Sequence, residues 1–107
     1  MRVHLDEMLP VGVARLLPGH EVTTVKAAGF TGMKNGELLR RGAAAGFGVL
    51  LTADQNLPEQ KSTGATRLAL ILVPGNRLAD IAPRSIEIDE AIRVAEPGTV
   101  TRLGRLG

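Results

Sequence analysis

The chain has no cysteine, tryptophan or tyrosine, and its only phenylalanines are Phe30 and Phe47. Without cysteine it can form neither a disulfide framework nor a thiolate metal site. The scarcity of aromatic rings argues against a platform for stacking the bases of single-stranded nucleic acid. No segment is long enough to cross a bilayer, and the first residues lack the apolar stretch of a signal peptide. We therefore expect a cytoplasmic protein with no membrane partner.

What remains is the composition of a globular domain. The 107 residues are 44% hydrophobic and 22% charged, with 13 glycines and 6 prolines. This length predicts one domain over residues 1–107, and its core must be built from Leu, Val, Ile and Ala. The formal net charge of +2 is too small to indicate the charge of a partner.

Apolar runs alternate with helical patterns along the chain. Strands are predicted at 2–5, 20–25, 47–51, 67–73 and 99–103, the last at an edge of the sheet. Helices are predicted at 9–17, at 36–45 and as a kinked pair over 77–95, where Pro83 interrupts the pattern. This alternation predicts an α/β fold, a three-layer α/β/α sandwich with a mostly parallel sheet of four or five strands.

Carboxylates occur at equivalent places in this pattern. Asp6 and Glu7 follow the first strand directly, Asp54 follows the third, and Glu37 lies in the first turn of the helix between the second and third strands. Carboxyl ends of parallel strands and the N-termini of the connecting helices share one edge of the sheet, where ligands bind. Carboxylate oxygens are the ligands that Mg²⁺ and Mn²⁺ prefer. Taken singly, Glu37 is better explained by the helix dipole, and Asp54 is explained equally well by turn formation.

Four segments resemble a PIN-like family related to the ribonuclease toxins of toxin–antitoxin pairs. They are VHLDEMLP at 3–10, GELL at 36–39, VLLTADQNL at 49–57 and RLALIL at 67–72. The resemblance implies a PIN-like fold and a metal-dependent endoribonuclease that uses Mg²⁺ or Mn²⁺. It assigns the metal-binding and catalytic roles to Asp6, Glu37 and Asp54. RNA would be the substrate, and the protein would be the toxin of a type II pair with an antitoxin protein as partner.

Two positions depart from the family pattern. Met8 stands where the family commonly has asparagine, and no acid follows the fourth strand, where only Asn76 is available. Glu7 or Asn76 could replace the missing carboxylate. These departures keep open an alternative, a PIN-like binding module whose catalytic site has decayed.

Further residues are candidates for supporting roles. Glu7, Thr52 and Asn56 could support the metal ligands. Lys34, Arg40 and Arg41 could bind the substrate backbone, although solvated surface charge is the better explanation for these three cations. His4 is expected to be a partly buried, hydrogen-bonded strand histidine. The sequence leaves a homodimer open as well.

A receiver-like phosphoacceptor domain is a third interpretation. It too carries paired acids after its first strand and an aspartate after its third. It also needs a Ser or Thr after strand four and a Lys after strand five, whereas residues 73–75 are Val-Pro-Gly and residues 103–104 are Leu-Gly. We therefore rank it below the other two.

Overall fold

The computed structural model describes residues 2–33, 35–54 and 68–103, with the backbone alone at 35 and 36. Its strands are β1 (Arg2–Leu5), β2 (Glu21–Thr24), β3 (Val49–Thr52), β4 (Ala69–Leu72) and β5 (Val100–Arg102). Its α-helices are α1 (Asn35–Ala44), α2 (Leu78–Ile81) and α3 (Ser85–Val94), and two 3-10 helices cover Val11–Leu16 and Ala82–Arg84. None of the helices in these described ranges is long and apolar enough to cross a membrane.

The five strands form one sheet in the order β2-β1-β3-β4-β5, and every neighbouring pair is parallel. In the register, Val3 of β1 lies between Val22 of β2 and Val49 of β3. The predicted α/β class with a mostly parallel sheet is therefore confirmed. β5 lies at an edge, as its short, half-polar sequence predicts.

Alternate residues of the strands contact two separate groups of buried side chains, because successive side chains of a strand point to opposite faces. One group joins the odd-numbered residues of β1, β3 and β4 to the first 3-10 helix, α2 and α3, and it includes Leu51, Ile71, Val13, Ile81 and Ile88. The other joins even-numbered strand residues to α1, and it includes Leu50, Leu70, Leu38, Leu39 and Phe47. β3 and β4 are buried along their whole length, and their residues are apolar apart from Thr52, as is typical of strands covered on both faces.

The helix predicted over 9–17 is present but shorter, and it is a six-residue 3-10 helix over Val11–Leu16 rather than an α-helix. Gly12 lies inside it and is a poor residue for an α-helix. A Cβ on Gly12 would come within 3.2 Å of Leu78 Cδ2, so its absence lets α2 approach closely. The turn ends at Leu17, whose φ of −126° and ψ of 58° are not helical.

Strand boundaries also differ from the prediction. The third strand begins at Val49 rather than at 47, because the Phe47 N–H donates to the Gly42 carbonyl and so completes the end of α1. The same strand ends at Thr52, one residue beyond its predicted end at 51. The predicted interruption at Pro83 is confirmed, since that residue lies in the 3-10 helix that separates α2 from α3.

Candidate functional site at the carboxyl edge of the sheet

The chain changes direction across the sheet between β1 and β3. From β1 it passes to β2 on one side, and from β3 it proceeds to β4 and β5 on the other. In open parallel sheets a crevice forms outside the strand ends at such a reversal. The Asp6 N–H donates to the Leu51 carbonyl at 3.0 Å, and the Val73 N–H donates to the Thr52 carbonyl at 2.8 Å. These bonds fix the backbones of Asp6 and Thr52 at the carboxyl edge, where the strand order reverses.

Thr52 connects two of the predicted site residues. Its side chain is fully buried. The hydroxyl donates to Asp6 Oδ2 at 2.5 Å and accepts the Asp54 N–H at 3.1 Å. The Met8 sulfur lies 3.9 Å from the same hydroxyl oxygen. One buried hydroxyl therefore orients the Asp6 carboxylate and holds the backbone of Asp54 beside it.

The first turn of α1 lies at this same edge. Arg2 Nη1, at the start of β1, donates to the carbonyl of Ala45 at 2.6 Å, so the end of α1 lies at the amino edge of the sheet. Gly42 faces His4, since a Cβ on it would lie 3.3 Å from His4 Nδ1. From Gly42, Glu37 lies five residues closer to the start of α1, a rise of about 7.5 Å along the helix. From His4, Asp6 lies two residues further along the strand direction, a rise of about 6.6 Å. Glu37 and Asp6 therefore lie at about the same height along the strand direction.

The carboxylate of Glu37 is nevertheless engaged elsewhere. Its Oε1 lies 3.7 Å from Arg41 Nη2, one helical turn along α1, and the side chain is 43% exposed. Within residues 2–33, 35–54 and 68–103, no group of three or more His, Cys, Asp or Glu side chains could hold a metal ion. The structure thus joins Asp6, Thr52 and the backbone of Asp54, and places Glu37 at the same edge in an ion pair.

The remaining predicted residues lie at the surface or outside the described ranges. Glu7 is exposed, as is Asn76 after β4. Arg40 and Arg41 are exposed on α1, where Arg41 pairs with Glu37. Lys34 and Asn56 lie outside the described residues.

Comparisons with protein-family models, with curated proteins and with solved structures find no match for this chain. The roles that the PIN-like resemblance assigns to Asp6, Glu37 and Asp54 stay predictions.

His4 is fully buried beneath this site, and the prediction of a partly buried, hydrogen-bonded histidine is wrong. Its ring stacks on Phe47 at 4.6 Å between centroids and meets the edge of Phe30 at 5.3 Å. Among the described residues neither ring nitrogen has a hydrogen-bond partner. Burial lowers the pKa of His4, and the nearby Asp6 carboxylate opposes this by raising it. The pattern of strand residues does not reveal that both phenylalanines of the chain surround this ring.

Sequence reasoning missed a second polar contact, at the opposite edge. His20 Nε2 lies 2.6 Å from Asp89 Oδ1, and Asp89 Oδ2 lies 3.4 Å from Arg93 Nη2. The spacing of Asp89 and Arg93 by four residues is typical of a helical ion pair and could have been noticed. Nothing local in the sequence links His20 to a residue 69 positions away.

Proposed function

We propose that the protein is a metal-dependent nuclease of the PIN-like class, with a three-layer α/β/α arrangement, that cleaves RNA. It would act as the toxin of a type II pair whose antitoxin protein blocks the site. The observation that carries the proposal is the hydrogen bond from the buried Thr52 hydroxyl to Asp6, with the Asp54 N–H on the same oxygen. It lies where the strand order reverses, which is the usual place for a ligand in a parallel sheet.

The oxygen donors at this edge suit a hard divalent cation. Mg²⁺ is commonly bound through one or two carboxylates while it keeps several waters, so Asp6 and Asp54 would suffice as its anchors. Glu37 would join them by leaving Arg41, and an exposed ion pair of this kind is worth only about 0.5 kcal/mol. When bound, Mg²⁺ or Mn²⁺ lowers the pKa of a bound water and stabilises charge on the attacked phosphate.

Residues of the chain would position the metal ion and the RNA. Thr52 keeps the Asp6 carboxylate in one direction, which restricts the place where a cation can bind. Arg40 and Arg41, exposed on α1, together with Lys34, would bind phosphates of the RNA backbone through their positive charge. No nucleophilic side chain is required.

The test is a cleavage assay with the purified protein, a labelled single-stranded RNA and Mn²⁺. Asp6→Asn and Asp54→Asn are expected to abolish cleavage, and so is EDTA. Asp80→Asn is the matched control, because Asp80 is an exposed acid on α2 that pairs with Arg77. Cleavage that survives both site substitutions, or that is indifferent to EDTA, would mean that these acids do not carry the reaction.

A binding module with a decayed catalytic site is the second candidate. The ion pair that engages Glu37 and the exposed Asn76 in place of a fourth acid favour it. This candidate predicts no cleavage of RNA or DNA. It also predicts that titration calorimetry detects no binding of Mn²⁺ at millimolar Mn²⁺ concentrations. The same two measurements therefore separate the two candidates.

A further inference from the structure

A second concave site lies at the amino edge of the sheet, away from Asp6 and Thr52. It is a cleft of about 370 Å³ between the start of β2 and α3. His20 precedes Glu21, which pairs with Arg2, so His20 lies some five residues, or about 16 Å, along the strands from the level of Asp6. Its volume is at the lower end of the range for small-molecule sites, about 300–1,000 Å³.

The polar wall of the cleft is one stripe of α3. Ser85, Asp89 and Arg93 follow one another at intervals of four residues, so they share a face of the helix, and all three line the cleft. Across from them the His20 side chain, which is only 5% exposed, contacts Asp89. Apolar surface completes the cleft and comes from Leu16, Pro18 and Ile86.

The hydrogen-bond donors of this stripe favour an anion. Both oxygens of Asp89 are already engaged, Oδ1 by His20 Nε2 and Oδ2 by Arg93 Nη2. Asp89 is the one carboxylate among the described residues that line the cleft, and its formal charge is balanced by that of Arg93, so the pair presents no net charge to a ligand. The contact of Arg93 is through Nη2, whereas its guanidinium group carries further N–H donors on Nε and Nη1. The hydroxyl of Ser85 adds another donor.

We propose that this cleft binds a small organic anion. Arg93 and Ser85 would donate hydrogen bonds to the anionic group, and the apolar body would lie against Leu16, Pro18 and Ile86. Asp89 would act as a positioning residue, because its contacts hold His20 and Arg93 on either side of the cleft. The site is independent of the proposed nuclease centre at the other edge.

The experiment is a titration of ¹⁵N-labelled protein with sodium benzoate, followed by amide chemical shifts. Benzoate has an anionic group on an apolar body, and benzamide and benzylamine are its neutral and cationic counterparts. We expect saturable shifts confined to the amides around Gly19, His20 and α3 with benzoate. Benzamide and benzylamine are expected to cause no saturable shift there.

Variants separate the cleft from other surfaces. Arg93→Gln should weaken benzoate binding by at least about tenfold and Ser85→Ala by a few-fold, as expected for loss of a charged and a neutral hydrogen bond. The side chain of Arg93 is 65% exposed, so its replacement leaves the core intact. Arg77→Gln is the matched control, an exposed arginine that pairs with an aspartate on α2, and should bind benzoate unchanged. Asp6→Asn should also bind it unchanged, whatever the nuclease assay gives.

Three results would overturn the proposal. They are the absence of saturable shifts up to tens of millimolar benzoate, equal shifts with benzamide or benzylamine, and equal affinity in the Arg93→Gln variant.

Discussion

Replacing Thr52 by valine removes the hydroxyl at the centre of the candidate site and keeps the shape of the side chain. The wild-type hydroxyl donates to the Asp6 carboxylate at 2.5 Å and accepts the Asp54 N–H at 3.1 Å. A hydrogen bond to a charged group contributes about 1.5–3 kcal/mol and a neutral one about 1 kcal/mol. Asp6 is only partly buried and regains some hydration, so we expect a total loss of about 2–3 kcal/mol. For a domain of this size that lowers the Tm by roughly 10–15 °C.

Urea denaturation followed by far-UV circular dichroism would measure this loss. Thr101→Val is the matched control, a half-buried strand threonine on β5, and should change stability by no more than about 0.5 kcal/mol. A double-mutant cycle with Asp6→Ala should give a coupling of about 1–2 kcal/mol, because the two side chains are in direct contact. If Thr52→Val costs no more than Thr101→Val, the hydroxyl does not organise the site.

Two further substitutions test the packing around β1. Burial lowers the pKa of His4 below its ordinary 6.5. The unfolded chain therefore binds a proton on this ring at a higher pH than the folded chain does. Because of this difference, the free energy of unfolding falls as the pH drops below about 6.5. His4→Phe should therefore lose less stability than the wild type between pH 7.5 and 5.5 in denaturant titrations, and an identical pH dependence would contradict this. Gly46→Ala should cost about 1–2 kcal/mol, because φ is +90° and the new Cβ would lie 2.7 Å from Arg2 Nη1. Gly19→Ala meets open space and should be nearly neutral, so equal losses in thermal unfolding would refute the strain at Gly46.

The strands could be predicted because burial on both faces demands continuous apolar runs. β3 and β4 are fully buried, and their residues are apolar apart from Thr52. The start of β3 could not be predicted, since whether Phe47 belongs to the strand depends on the carbonyl of Gly42 that takes its N–H. The 3-10 geometry of residues 11–16 could not be predicted for a similar reason, because Gly12 packs against Leu78, 66 residues further along.

For the site, the sequence indicates which residues share an edge but not which of them touch. The proximity of Asp6 and Thr52 follows from the rule that the carboxyl ends of parallel strands share one edge of the sheet, although the two residues are 46 positions apart. The direction of the Glu37 side chain depends on competition between Arg41 on its own helix and the other acids at the edge. The surroundings of His4 depend on how closely α1 approaches at Gly42. Such contacts are set by packing between elements and leave no periodic pattern in the sequence.

The position of β1 between β2 and β3 has a consequence for how the chain is made. Parallel neighbours cannot be joined by a tight hairpin, so each ladder closes a long loop before it contributes stability. β1 is the first described strand to be synthesised, yet its second partner is β3, beginning at Val49. Until β3 is available, one edge of β1 has no ladder partner, and open strand edges of this kind pair readily with other chains. The position of β1 beside the reversal of strand order thus leaves it open to pairing with other chains during translation.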